Sequence, residues 1–137
     1  MVEAAEEEEG EEEMKRLAAI LIILLFALPA WAGHRHLERE YQEKWCAACG
    51  GTTEVRLLDM ARVDCVTDGY ALEFDFGSKW AESAGQALYY AEKTGLKPGI
   101  VLILERPSDS RYLDRLNVLA RKHGITVWTM TPEDLEK

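Results

Sequence analysis

Between residues 61 and 76 apolar and charged side chains alternate with a period of two. Val63 and Cys65, then Leu72, Phe74 and Phe76, fall on one face; Arg62, Asp64, Glu73 and Asp75 fall on the other. Asp68-Gly69 between the two runs is a favoured two-residue turn pair, because both positions need positive φ. The pattern predicts a β-hairpin. Counting outward from its turn, Asp64 sits opposite Glu73 and Arg62 opposite Asp75. Side chains opposed in this way have Cβ atoms about 5 Å apart. Two bare carboxylates at that spacing repel, so a shared proton, a nearby cation or a bound metal must offset them. Hard divalent cations take carboxylate oxygens. The plainer reading is a solvated strand face carrying an Arg62–Asp75 cross-strand pair.

The rest of the chain alternates helical and extended patterns. Residues 34–49 carry a helical stripe through Leu37, Tyr41, Trp45 and Ala48, which Gly50-Gly51 stops. Residues 53–58 read as a strand leading into the hairpin. Residues 79–93 predict a second helix whose apolar stripe is Trp80, Ala84, Ala87, Leu88 and Ala91, with Gly85 read as a point of close packing. Lys79, Ser83, Gln86, Tyr90 and Lys93 form another stripe on it. A loop over 94–99 leads to the aliphatic run 100–105, a fully buried strand. A third helix over about 109–123, a strand over 125–129 and a helix start in the tail complete the chain. The order αβββαβαβ predicts an α/β fold with a mixed central sheet flanked by helices, its later strands joined by right-handed crossovers.

Composition divides the chain. Residues 1–13 hold eight glutamates and no apolar pattern, an acidic leader expected to be disordered. Residues 14–32 read as a signal peptide: Lys15 and Arg16, an apolar run from Leu17 to Leu28, and a small-x-small site at Ala30-Trp31-Ala32. The run is short for a membrane span, and Met14 reads as the natural start. Export to the periplasm or beyond follows, with no stable membrane insertion after cleavage. Removing residues 1–32 takes eight acids from 25 and two bases from 16, so residues 33–137 hold 17 acids and 14 bases, a net charge of −3. That domain is large enough for one core. It has no global basic footprint, so nucleic-acid binding would have to be local.

Element order and carboxylates together resemble the PD-(D/E)XK, or restriction-endonuclease-like, nuclease superfamily, over roughly residues 36–105. The resemblance implies a site built from a helix acid, an acid in the second strand, an acid-x-Lys in the third and a polar residue on the crossover helix. Matched by position, these are Glu40, Asp64, Glu73 of Glu73-Phe74-Asp75, and Gln86. It implies Mg²⁺ or Mn²⁺ held by Asp64 and Glu73, with Glu40 helping through water, and a phosphodiester substrate in DNA or RNA. The motif lysine is absent: Asp75 stands in its place. That residue type orients the attacking water and stabilises charge on phosphate. Lys79, at the start of the next helix, is positioned to supply the cation, and Gln86 to position water or phosphate. For Glu40 the bland alternative is an i,i+4 pair with Lys44.

The departure at Asp75 leaves a second expectation, an inactive nuclease-fold protein with a binding or structural role in the envelope and an unknown protein partner. The cysteines carry a third. Trp45-Cys46-Ala47-Ala48-Cys49 matches the thiol–disulfide pattern Trp-Cys-x-x-Cys, but it lies at a helix C-terminus, where the dipole has the wrong sign to stabilise a thiolate. A zinc site would lack a well-placed fourth ligand among His34, His36 and His123. Export makes a structural disulfide the default. Cys65 on the apolar face of the hairpin and Cys46 on the helix that covers the sheet favour Cys46–Cys65, leaving Cys49 odd; Cys46–Cys49 is the alternative.

Overall fold

The computed structural model describes residues 13–20 and 33–137. The acidic leader, apart from Glu13, and residues 21–32 of the expected signal peptide lie outside them; residues 13–20 are helical. The chain divides into two compact units, Met1–Gly33 and His34–Lys137. Among the described residues no helix is long and apolar enough to cross a membrane.

The unit His34–Lys137 is an α/β domain. Its elements are α1 (Glu38–Ala48), β1 (Thr52–Arg56), β2 (Arg62–Val66), β3 (Tyr70–Phe76), α2 (Trp80–Thr94), β4 (Lys97–Ile103), α3 (Ser110–His123), β5 (Thr126–Met130) and α4 (Pro132–Glu136). Short 3₁₀ turns, Gly77–Lys79 and Pro107–Asp109, lead into α2 and α3. The five strands form one mixed sheet in the order β1-β2-β3-β4-β5. β1, β2 and β3 are antiparallel; β3, β4 and β5 are parallel.

Alternation along β3 sorts its side chains to two faces. Leu72, Phe74 and Phe76 pack with Tyr41 and Cys46 of α1, Cys65 of β2 and Met130 of β5. Trp45 crosses Phe74 at 5.8 Å and Trp128 at 5.4 Å, in the edge-to-face geometry that aromatic quadrupoles favour. On the opposite face Ile100 and Leu102 of β4 meet Ala84 and Ala87 of α2 and Leu116 and Ala120 of α3. A disulfide between Cys46 and Cys65 ties α1 to β2. Cys49, in the helix cap, is free and exposed. Gly51 closes over the bridge: a Cβ there would lie 2.7 Å from Cys65 Sγ and 2.8 Å from Cys46 Sγ.

Several boundaries differ from the pattern reading, each for a local reason. β1 ends at Arg56 rather than 58, because Leu57–Ala61 folds into a tight turn closed by Leu57 N–H to Ala61 O at 2.8 Å. β4 begins at Lys97, inside the expected loop. Pro98 is tolerated because only β3 pairs there; β5 joins at Gly99, opposite Thr126. Gly99 makes room for its neighbours: a Cβ there would lie 2.7 Å from Leu72 Cδ2 and 3.0 Å from Trp128 Cζ3, so those side chains would have to shift. Gly85 is not a close-packing point: a Cβ there would meet nothing within 4 Å. Val63 packs with Ala71 and Tyr90 rather than with Cys65.

Candidate functional site

The β2–β3 hairpin opens where its carboxylates begin. Its paired positions are Cys65↔Leu72 and Val66↔Ala71. The next step in that register brings Asp64 to Glu73, and there the ladder gives way. The amide of Phe74 donates to Asp64 Oδ2 at 2.8 Å instead of continuing the strand pairing. Behind it, Gln42 of α1 donates from Nε2 to the Asp64 carbonyl at 2.6 Å and to Glu54 Oε1 at 2.9 Å. Glu54 has φ 55°, a left-handed backbone inside an edge strand.

The opening is a cavity of about 340 Å³ lined by Glu38, Arg62, Asp64, Glu73, Asp75, Lys79, Glu82, Gln86 and Tyr90. Glu73 and Asp75 are buried, at 5% and 3% exposure. They occupy the positions of β3 that face away from the Leu72–Phe76 core, so burial follows from the sheet geometry and not from affinity for an apolar surrounding. Gln86 and Tyr90 stand one helical turn apart on α2 and look into the same space.

Five acids and two bases around one space set its electrostatics. Burial, followed by the charges of Asp64 and Asp75 and a hydrogen bond to Asp64, pushes Glu73 well above the ordinary carboxylate range. Asp64 is also raised, by burial, against the stabilising bonds from the Phe74 amide and from Glu73. Both shifts run against the two carboxyls ionising together. Glu38 is pushed up to about 7 by burial and then by Asp75 and Asp64. Asp75 rises to about 6 through burial, opposed by Lys79. Glu73 Oε2 is buried and makes no hydrogen bond. An acceptor left bare in a low-dielectric site costs free energy unless a proton or a cation satisfies it.

Both bases are already engaged. Lys79 Nζ lies 3.5 Å from Asp75 Oδ1, and Arg62 lies 3.1 Å from Glu54 Oε2. The Arg62–Asp75 cross-strand pair suggested by the hairpin register does not form, because Lys79 takes the aspartate from the next turn and Glu54 takes the arginine.

The structure thus brings Asp64, Glu73, Asp75, Lys79 and Gln86 to one cavity and leaves Glu40 outside it. Glu40 caps its own helix, accepting the Leu37 amide at Oε2 over 2.6 Å, and faces His36 at 3.7 Å. It makes no pair with Lys44, whose Nζ donates to the Leu135 carbonyl. The acid that α1 sends to the cavity is Glu38. Helical spacing holds the signal: Glu38 lies about 80° around the helix from Cys46, whereas Glu40 lies about 120° away on the other side. The disulfide cysteine marks the face turned to the sheet, and of these two acids Glu38 stands nearer to it. Glu82 and Tyr90 also line the cavity without having been singled out as candidates; Tyr90 belongs to the Lys79–Gln86 stripe of α2.

Among the described residues no three His, Cys, Asp or Glu side chains are already arranged as a metal cage. The donor set is nonetheless all oxygen, which suits a hard divalent cation. The bare Glu73 Oε2 is the acceptor that such an ion would satisfy. No protein-family model, curated protein or solved structure matches the chain.

Proposed function

We propose that the His34–Lys137 domain is an exported phosphodiesterase of restriction-endonuclease-like, PD-(D/E)XK type, dependent on Mg²⁺ or Mn²⁺. The observation that carries this reading is the forked hairpin. It presents Asp64 and Glu73 together in one cavity with Glu38, Lys79 and Gln86, and leaves a buried oxygen of Glu73 without a partner. The element order, three antiparallel strands followed by a crossover helix and a parallel strand, supports the same reading.

Asp64 and Glu73 would hold the cation, with Glu38 in the place first given to Glu40. When bound, such an ion lowers the pKa of water and offsets charge on a phosphate. The protein's own residues do the rest. The Phe74 amide and the Gln42 strut fix Asp64 in the fork. Lys79 presents a positive charge at the cavity rim, held there by Asp75. The Gln86 amide and the Tyr90 hydroxyl offer hydrogen bonds to water or to a non-bridging phosphate oxygen. The disulfide supports the exported setting.

The test is incubation of the protein with plasmid DNA and with RNA under Mg²⁺, Mn²⁺ or EDTA, beside Asp64→Ala and Glu73→Ala. Cation-dependent cleavage that falls by about 10²-fold or more in both variants is the expected result. Absence of cleavage with every cation, together with no heat of Mn²⁺ binding, would sink the proposal.

A second reading has its own observation. Asp75 stands where a lysine would serve catalysis, and it holds Lys79 in an ion pair. This favours a scaffold retained for binding a partner in the envelope. Asp75→Lys discriminates the two: gain of cleavage by that variant over an inert parent identifies a site that has lost its chemistry. Redox work by Cys46 and Cys49 has less support, since Cys46 is buried and bonded to Cys65.

A further inference from the structure

The acidic cavity poses a problem for any polyanionic substrate: both of its bases are paired with carboxylates. Cations that hold a strand in place must lie beside the cavity and be uncommitted. α3 carries such a pair. Arg111 and Arg115 are exposed, stand one turn apart, and both lie over the ring of Tyr112, with Cζ at 4.7 Å and 5.9 Å from its centroid. Arg111 also donates to the Tyr112 hydroxyl at 2.9 Å. Among the described residues neither guanidinium has an acidic ion-pair partner. Stacking on a half-buried ring orders these side chains and, the Arg111 bond to the Tyr112 hydroxyl apart, leaves their N–H donors for bidentate contact with phosphate.

Their place in the fold connects them to the cavity. Tyr112 packs on the Gly77–Lys79 turn: a Cβ on Gly77 would lie 3.1 Å from Tyr112 Cδ2. Asp75 and Lys79, on either side of Gly77, both line the cavity. The carboxyl ends of parallel β3 and β4 and the starts of α2 and α3 share this edge of the sheet, where open α/β sheets receive their ligands.

We infer that the Arg111–Tyr112–Arg115 lobe is a phosphate-binding shoulder that grips the sugar–phosphate backbone of a polynucleotide strand flanking the position held at the carboxylate cavity. This rests on the phosphodiesterase reading of that cavity and adds to it the path of the strand, running from the Asp64–Glu73 fork across the Gly77 turn to α3. Binding at the shoulder is electrostatic and independent of base sequence. It does not need the cation, so it persists when cleavage is blocked.

The test is fluorescence anisotropy of a fluorescein-labelled 20-base-pair DNA duplex with the full chain in EDTA, across a series of salt concentrations. Arg111→Glu with Arg115→Glu is compared with Arg121→Glu with Lys122→Glu, the same charge change at the far end of α3. Circular dichroism checks folding, and Arg111→Gln with Arg115→Gln serves if the reversed pair does not fold. The proposal expects the Arg111/Arg115 variant to bind about tenfold or more weakly, with the salt slope reduced by about 2, and the distal variant to change little. Equal loss in both variants, wild-type affinity in the first, or binding of vesicles with half anionic lipid but not of duplex would overturn it. A cleavage assay with Mn²⁺ separates the two ideas. Strand binding through the arginines without any cleavage defeats the phosphodiesterase reading. Cleavage lost in Asp64→Ala but untouched by the arginine substitutions defeats the shoulder.

Discussion

Single residues in this domain accept backbone and electrostatic costs that only their neighbours explain. Glu54 adopts φ 55° inside β1, and its side chain meets Gln42 and Arg62. The left-handed conformation costs about 1–2 kcal/mol for a residue with a Cβ. Here it accompanies the strut that holds the Asp64 carbonyl. Met60 shows the same cost with no such return. Its φ is 73°, and its side chain is 64% exposed at the tip of the β1–β2 turn. Met60→Gly should therefore stabilise the domain by about 1 kcal/mol, read as a higher urea midpoint at unchanged m-value. A lower midpoint would mean that the exposed side chain contributes packing after all.

At the scale of elements, α1 is held from two sides. Its end is bolted to β2 by Cys46–Cys65. The segment before it is clamped by Glu105, which accepts the amides of Arg35 and His36, the Tyr41 hydroxyl and His34 Nδ1. His34 stacks on Phe76 at 3.4 Å. Burial raises the Glu105 carboxyl, and the bonds from His34 and the two amides outweigh it, so its pKa ends below the ordinary value. The disulfide spans 19 residues, so its removal should cost about 3 kcal/mol by loop-closure entropy. Cys46→Ala with Cys65→Ala is expected to lower Tm by more than about 10 °C and to weaken the near-ultraviolet signal of Trp45, which packs between Phe74 and Trp128. A fall of only a few degrees would show that the core alone seats the helix.

Across the whole molecule, the carboxylate cavity should dominate the dependence of stability on pH. Glu73, Glu38 and Asp75 all have folded pKa values above their ordinary ones. A raised acid keeps a proton in the fold that it has released when unfolded. Its contribution is fully present below the unfolded value and is lost as pH rises through the folded one. The cation-free domain should therefore lose stability as pH rises from about 4 through about 6 and about 7, where Asp75 and Glu38 titrate, and should go on losing it at higher pH, where Glu73 titrates. Glu105 and Asp134, with lowered values, work in the opposite sense only at more acidic pH. Glu73→Gln keeps a hydrogen for Asp64 without titrating. It should flatten the slope and raise Tm at pH 8 by about 4 °C or more. Mn²⁺ should flatten the slope of the wild type by replacing the protons, and act far less on the variant. Thermal melts at four pH values, with Mn²⁺ and with EDTA, check both; a Tm that climbs steadily from pH 5 to pH 8 would contradict the raised carboxyls.

The α/β class, the alternation along β3, the crossover helices and the meeting of Asp64 with Glu73 were legible in the sequence, because each depends on periods of 2 and 3.6 and on a turn pair whose φ demands are local. The face of α1 was legible too, in Cys46, but choosing Glu38 over Glu40 required knowing that the helix begins at Glu38 and that Glu40 is spent on capping it. Other features were decided by tertiary structure alone. The fork opens because Asp64 captures the Phe74 amide, Arg62 pairs with Glu54, which sits at positive φ, and Lys79 reaches Asp75 from a 3₁₀ turn. These are contests between partners distant in sequence, settled by which groups burial leaves without water. No local period records their outcome.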